Sequence, residues 1–192
     1  MRKSIDVLRS VKKYIAEDVL PDYEVRLSSE EGAWERPFCR VAWSTSGNQR
    51  AIGKLQLELR RTLSIVVWPV ESATADEGKL VAEAVVEALT LAFSMGLHTD
   101  SYRSASNRAH PRRIPVWDYD GVPLTAAVAE NARATTDFAT VIDDPEIGDI
   151  DDPNTPKSRV VTGDIRLRWT RSVAVAAEGE VVVGVPLESQ AS

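Results

Sequence analysis

The strongest constraint on the fold is a long run of alternating apolar and polar residues that begins at Leu55 and is closed by Pro69. Its odd positions are largely apolar: Leu55, Leu57, Leu59, Leu63, Ile65 and Val67. Successive side chains of a strand point to opposite faces, so this period predicts one strand with a buried face, broken only at Arg61. Such a strand exceeds the usual length of roughly 3–10 residues. We therefore expect its first half to project beyond the sheet as a long strand or hairpin.

Shorter alternating stretches predict the remaining strands. Two of them are expected to pair as an antiparallel hairpin: Tyr23, Val25, Leu27 and Cys39, Val41, Trp43. Three later stretches each predict a strand: Ile114–Tyr119, Asp137–Ile142 and Val160–Arg171. The Ala-rich stretch Leu124–Ala134 predicts a short helix.

Two amphipathic segments predict the main helices. The first runs from Ser4, a suitable N-cap, to Leu20 and is ended by Pro21. The second follows a capping box at Thr74–Glu77 and continues to about Met95, with Gly96 as its stop. The order of elements predicts an α+β fold in which two helices cover one face of a mainly antiparallel sheet. We expect residues 1–172 to form one domain and residues 173–192 a C-terminal hairpin or arm.

The second predicted helix carries more apolar surface than one sheet can cover. At 100° per residue, Glu83, Glu87, Thr90 and Ser94 share a narrow arc, whereas apolar residues occupy about two thirds of the circumference. A helix on one side of a sheet needs an apolar stripe of only about 100°. We therefore expect another layer or another subunit to cover the rest.

The negative charge of the chain is concentrated in one segment. The 192 residues carry 23 Lys and Arg against 29 Asp and Glu, a net charge of -6. Six acids with no base lie in this stretch: Asp143, Asp144, Glu146, Asp149, Asp151 and Asp152. Because Pro145, Pro153 and Pro156 interrupt it, we expect an exposed loop at 143–157. A solvated loop, a surface for a polyanion or basic partner, and a calcium loop remain as alternatives, although the spacing does not match a calcium-binding motif.

Composition and motifs argue against several classes of function. No apolar stretch approaches the roughly 18–20 residues of a membrane-spanning helix, and no signal-peptide pattern opens the chain, so a cytoplasmic protein is expected. No glycine-rich phosphate-binding motif or Gly-x-Ser-x-Gly elbow occurs. We therefore expect no enzymatic activity, no cofactor and no metal.

The remaining reactive residue types have simple structural explanations. Cys39 occupies an inward-facing strand position and is expected in the core. His98 and His110 are expected to be solvated, and Asp118 and Asp120 belong to a predicted turn. The basic stretch 103–113 is a predicted loop that suits a partner protein at least as well as nucleic acid.

Several short phrases, in this order, give the chain a resemblance to a known family. They are Leu20-Pro-Asp-Tyr-Glu-Val25, Pro37-Phe-Cys-Arg-Val-Ala-Trp43, Arg61-Thr-Leu-Ser-Ile-Val-Val-Trp-Pro69, a helix starting near Asp76-Glu77, and Ile114-Pro-Val-Trp-Asp-Tyr-Asp-Gly121. Over residues 1–172 the chain resembles the lambda-like tail terminator proteins of long-tailed phages that infect actinobacteria. The segments 143–157 and 173–192 depart from the compact family pattern.

The resemblance implies a structural virion protein at the tail–neck junction, made in the host cytoplasm. Such proteins form a homohexameric ring on the last ring of the tail tube protein, stop tube polymerisation and present a surface to the head–tail connector protein, while double-stranded DNA passes through the lumen without specific binding. A connector stopper or another neck ring protein is the alternative implied, and a small hydrolase is a weaker one.

Ring formation also suggests roles for particular residues. The helix residues expected at the oligomer interface are Val81, Val85, Ala88 and Ala92, and Arg60 and Arg61 are expected near it. In a ring of six, the acidic segment would form either a negative belt in the lumen that keeps DNA from sticking, or an outer rim that faces a basic connector surface.

Overall fold

The computed structural model describes residues 4–30, 32, 34–44, 47–53, 56–94, 112–119 and 133–172. The helices are α1 (Ser4–Tyr14), continued by one π-helical turn (Ile15–Val19), and α2 (Ala75–Phe93). The strands are β1 (Glu24–Leu27), β2 (Phe38–Trp43), β3 (Asn48–Gly53), β4 (Gln56–Trp68), β5 (Arg113–Asp118), β6 (Arg133–Val141), β7 (Glu146–Asp151) and β8 (Arg159–Ser172).

Two long antiparallel strands, β4 and β8, form the centre of the sheet. They pair from Gln56 opposite Ser172 to Val67 opposite Val161. Two short strands lie end to end along each of them, β2 and β3 beside β4, and β7 and β6 beside β8. The outer strands β1 and β5 then pair with β2 and β6. This mainly antiparallel eight-stranded sheet with two helices confirms the predicted α+β class.

One face of the sheet, called the inner face, carries the core. Odd-numbered residues of β2, β4 and β8 lie in cross-strand rows there, as in the buried row Cys39, Val67 and Val161. Both helices pack on this face, and Tyr14 of α1 meets Phe93 of α2 edge to face at 5.7 Å between ring centroids. The even-numbered residues of the same strands point to the opposite, outer face.

The expected hairpin of the first two strands is wrong, because β1 and β2 pair in parallel, with Val25 opposite Cys39. The chain turns at Leu27–Glu30, where the Glu30 amide donates a hydrogen bond to the Leu27 carbonyl at 3.0 Å, and it then packs against α1 without leading directly into an antiparallel partner. The Glu30 carboxylate accepts a hydrogen bond from the Leu27 amide at 2.8 Å and binds Lys12 Nζ at 2.7 Å. The connection can then return to the end of the sheet at which β1 began.

The expected absence of regular structure in the acidic segment is also wrong. β7 occupies the middle of this segment and pairs with β8 from Glu146 opposite Asp164 to Asp151 opposite Arg159. Pro145 and Pro153 lie just outside the strand, where they remove no hydrogen bond from its ladder. Proline here limits the length of the strand and does not prevent it.

The long strand β4 matches the alternating sequence closely, but its first half does not project alone. It lies between β3 and β8, so that the predicted hairpin is built into the sheet. Arg61 does not break the strand, because its guanidinium lies over the Trp43 ring at 4.8 Å from the centroid. An aromatic face therefore accommodates the one cation on the inner side of the strand.

The helix ends are partly as predicted. Thr74 Oγ1 accepts a hydrogen bond from the Glu77 amide at 3.2 Å, which confirms Thr74 as the N-cap. The Glu77 carboxylate accepts its bond at 2.9 Å from the amide of Ala73, one residue before the N-cap amide that a capping box uses. The first helix does not stay α-helical to Leu20, since its last turn is a π-helical one. Neither helix in the described ranges is long and apolar enough to cross a membrane.

Several expectations fall on residues outside the described part. They concern Met95 and Gly96, the basic stretch up to Pro111, His98, His110, Asp120, positions 124–132 of the Ala-rich helix and the arm 173–192. Of that helix, the two described positions, Arg133 and Ala134, belong to β6, so the prediction is wrong for them.

Candidate interaction surfaces

The surface of α2 that points away from the sheet is apolar and acidic. Leu80 is 67% exposed and Leu91 is 50% exposed, and Ala84 lies between them on the same side of the helix. This exposed side, called the leucine stripe, is bordered by four carboxylates and one lysine: Asp76, Glu77, Glu83, Glu87 and Lys79. Two large leucines in water are the kind of feature that marks a contact surface.

The helix residues predicted at the interface are placed differently from one another. Val85 is only 4% exposed and belongs to the chain's own core with Ala82, Leu89 and Phe93, so its expected part in an interface does not fit. Val81, Ala88 and Ala92 are half-buried on the flank of the helix. The apolar circumference predicts that the sheet alone cannot cover α2, and Leu80 and Leu91 are indeed exposed. The sequence does not single them out, because it does not show which side of the helix the sheet covers.

A second surface lies on the outer face of the sheet, at the end formed by β3, β4, β8, β6 and β5. The register places these five residues in one cross-strand row: Asn48, Arg60, Arg168, Thr140 and Arg113. Arg50 and Arg166 occupy the neighbouring rows on either side. Arg50, Arg60, Arg113, Arg166 and Arg168 are together called the arginine face.

The carboxylate of Glu58 organises two of these arginines. It lies 2.7 Å from Arg60 Nη2 and 3.9 Å from Arg168 Nη1, and its own side chain is largely covered. Asp143 similarly binds Arg166 at 3.2 Å. Since one carboxylate serves two guanidiniums, donor groups on Arg60 and Arg168 remain for another acceptor.

Two grooves open on the arginine face. One of about 390 Å³ is lined by Asn48, Arg60, Arg61, Thr62, Asp143 and Arg166, among others. The other, of about 350 Å³, includes Glu58, Arg113, Asp137, Phe138, Arg168 and Thr170. Both combine cationic donors with hydroxyl or amide groups, and Phe138 adds an exposed aromatic ring. This arrangement suits a carboxylate-bearing or phosphate-bearing partner.

Arg60 and Arg61, predicted together, point to opposite faces of β4. Arg60 belongs to the arginine face, whereas Arg61 points to the inner side, where burial lowers the pKa of its guanidinium and Trp43 covers it. Trp43 in turn stacks on Trp169 with ring centroids 5.5 Å apart. Arg61 therefore contributes mainly to packing between the strands, although its backbone and stem reach the edge of the first groove.

The acidic segment is largely paired with arginines from elsewhere in the chain. Arg36 binds Asp152, Arg159 binds both Asp149 and Asp151, and Arg166 binds Asp143. The Asp152 side chain is only 1% exposed. The segment therefore contains a strand with partly compensated charge and is not the uniformly exposed loop expected.

An aromatic cluster covers the other end of the outer face. Trp34, Phe38 and Trp68 lie in contact, with centroid distances of 5.0 Å and 4.4 Å. Arg26 and Arg40 lie over the outer rings of this cluster, at 5.6 Å and 5.5 Å from the centroids. A groove of about 620 Å³ runs beside it.

Within the described residues, the side chains that could react or bind a metal ion have structural roles. Cys39 is fully buried, as predicted, and burial raises the pKa of its thiol to about 12. No group of three or more His, Cys, Asp or Glu side chains in the described ranges is arranged to hold a metal ion, and this includes the six acids of the acidic segment.

Comparisons with known proteins do not supply a family. No protein-family model matches the chain, and no curated protein matches it at a significant level. The leucine stripe and the arginine face are therefore the features from which a function can be argued.

Proposed function

We propose that this chain is a structural virion protein, a ring-forming tail terminator at the tail–neck junction of a long-tailed phage. In this role six copies form a ring on the end of the tail tube, stop tube polymerisation and offer a surface to the head–tail connector protein. The proposal assigns no catalytic step to any residue.

The observation that carries the proposal is the leucine stripe of α2. Full burial of one leucine side chain contributes about 1.5–3 kcal/mol, and Leu80 and Leu91 leave much of this gain unused in a single chain. A subunit whose apolar surface is fully buried only in an assembly has exposed leucines of this kind as a single chain. The resemblance of the ordered sequence phrases to those of tail terminators supports this kind of ring over other assemblies.

The ring is tested by native mass spectrometry of the full chain. We expect a six-fold species, and a strict monomer at high protein concentration would contradict the proposal. Capping is tested by adding the chain to polymerising tail tube protein and measuring tube lengths by electron microscopy. Tubes are expected to stop growing.

Two further outcomes separate the proposal from related roles. Binding to the connector without any effect on tube growth would identify a connector stopper. Duplex DNA is expected to pass through the ring without sequence preference, so binding that depends strongly on DNA sequence would argue for a different function.

A further inference from the structure

We propose that the leucine stripe of one copy docks on the arginine face of the next copy, so that the chains join head to tail. The inference rests on the proposed ring and names the two surfaces that build it.

The leucine stripe and the arginine face lie on opposite sides of the domain. α2 packs on the inner face of the sheet, so its leucine stripe looks outward from the helix layer. The arginine face belongs to the outer face of the sheet, on the opposite surface of the two-layer domain. A contact between two different surfaces of the same chain is heterologous, and it closes into a ring when the rotation between copies divides the full turn.

The leucine stripe and the arginine face also differ in charge. The leucine stripe is bordered by four carboxylates against the single lysine Lys79. The arginine face carries five arginines, against Glu58, Asp137 and Asp143 around its grooves. The two surfaces therefore have opposite net charge. Complementary charge fixes the register of an interface and disfavours contact between like surfaces, such as two leucine stripes.

The leucine stripe and the arginine face also match in size and apolar content. Leu80 and Leu91 are separated by about 16 Å along a helix with a rise of about 1.5 Å per residue. Five strands spaced by about 4.8 Å give the arginine face a width of roughly 19 Å. Ile52 and Phe138, each nearly half exposed, supply apolar contacts on the sheet side. A helix can therefore lie across these strands as a second layer provided by the neighbour.

A nucleic acid is the competing occupant of the arginine face. Carboxylates between the arginines, at Glu58, Asp137 and Asp143, lower the density of positive charge that binding to a phosphate backbone needs. The exposed leucines also have no use in a nucleic-acid complex. The second copy is therefore the better fit.

The test uses two variants of the full chain, each with one damaged surface. Leu91→Glu damages the leucine stripe, and Arg60→Glu/Arg168→Glu damages the arginine face. Matched controls are Val70→Glu, at an apolar residue of similar exposure (47%), and Arg40→Glu, at the other end of the outer face. Circular dichroism checks that each variant is folded.

We expect each damaged variant to assemble at least about tenfold more weakly than the unmodified chain, while both controls form the six-fold species. Mixing the two damaged variants should give a one-to-one dimer that grows no further, because only one intact pair of surfaces remains. A mixture without this mixed dimer would overturn the head-to-tail contact. A symmetric contact between leucine stripes predicts instead a homodimer of the Arg60→Glu/Arg168→Glu variant, whose stripe is intact.

Other outcomes separate the inference from the proposed function. If the unmodified chain forms rings and both damaged variants do so equally well, the ring stands and the named surfaces are wrong. If the unmodified chain is a monomer, the proposed function fails together with the inference. If Arg60→Glu/Arg168→Glu assembles normally but loses affinity for a 30-base-pair duplex, the arginine face is a nucleic-acid surface and the inference is overturned.

Discussion

Asp151 and Asp152 are adjacent carboxylates in opposite environments. The Asp152 side chain is 1% exposed, binds the guanidinium of Arg36 and accepts a hydrogen bond from the Asn154 amide at 2.8 Å. The Asp151 side chain is 90% exposed and lies 2.8 Å from Arg159 Nη1. The pair of residues therefore compares a buried and an exposed ion pair within one segment.

The structure predicts very different costs for removing each carboxylate. Asp152→Ala leaves Arg36 with its side chain 14% exposed and, among the described residues, with the distant Pro69 carbonyl at 3.5 Å as its remaining acceptor. Removing one partner of a buried pair costs about 3–5 kcal/mol, and the remaining exposure of Arg36 reduces this to about 2–4 kcal/mol. Asp151→Ala is expected to cost less than about 1 kcal/mol, as exposed pairs do.

Urea unfolding followed by tryptophan fluorescence measures both losses at one protein concentration. The double variant Arg36→Met/Asp152→Leu should lose less stability than Asp152→Ala alone, because no unpaired charge remains buried. Equal losses for Asp151→Ala and Asp152→Ala would refute the reasoning. They would mean that the acidic segment behaves as one solvated loop.

Three further predictions concern the core. Gly78→Ala should lower the free energy of unfolding by about 1–2 kcal/mol, because a Cβ there would lie 2.1 Å from the Lys157 carbonyl oxygen. Gly148→Ala, whose Cβ would meet nothing within 4 Å, should be neutral in the same urea-unfolding experiment. A thiol reagent at pH 8 should modify Cys39 only as fast as the chain unfolds, and rapid labelling of the native protein would contradict its burial. Burial raises the pKa of Cys39 from 9.0 to about 12, so its neutral thiol contributes stability below about pH 9 that is lost as pH rises to about 12. The free energy of unfolding of Cys39→Val should therefore fall less steeply than that of the unmodified chain over this pH range. Parallel curves of stability against pH for the two proteins would count against this effect.

The sequence predicts strands well where their periodicity is long, but it does not predict their partners. The alternation in β4 and β8 identifies both central strands, because one face of each is buried along most of its length. It does not show that β1 pairs in parallel with β2, because alternation within a strand carries no information on the direction of its neighbour or on tertiary contacts such as Glu30–Lys12. β7 escaped prediction because its prolines flank the strand and its alternating pattern is mostly polar.

The candidate surfaces were predictable only in part for a similar reason. The apolar circumference of α2 indicates that something besides the sheet must cover it, but the exposed side depends on how the helix is rotated. In the structure Gly78 lies against the Lys157 carbonyl and Val85 is buried, whereas Leu80 is on the exposed side. The arginine face exists only through register, since Arg60, Arg113 and Arg168 are far apart in sequence.

The structure also changes where the charge of the chain can act. The sequence concentrates the negative excess in the acidic segment, yet Arg36, Arg159 and Arg166 bind four of its six acids. Within the part of the chain that the structure describes, the acids that border the leucine stripe are less compensated, with one distant ion pair of 3.8 Å between Lys79 and Glu83. One surface of the domain is therefore acidic and the opposite one is rich in arginine. A domain polarised in this way favours head-to-tail contact over contact between like surfaces, and its assembly should weaken as salt screens both.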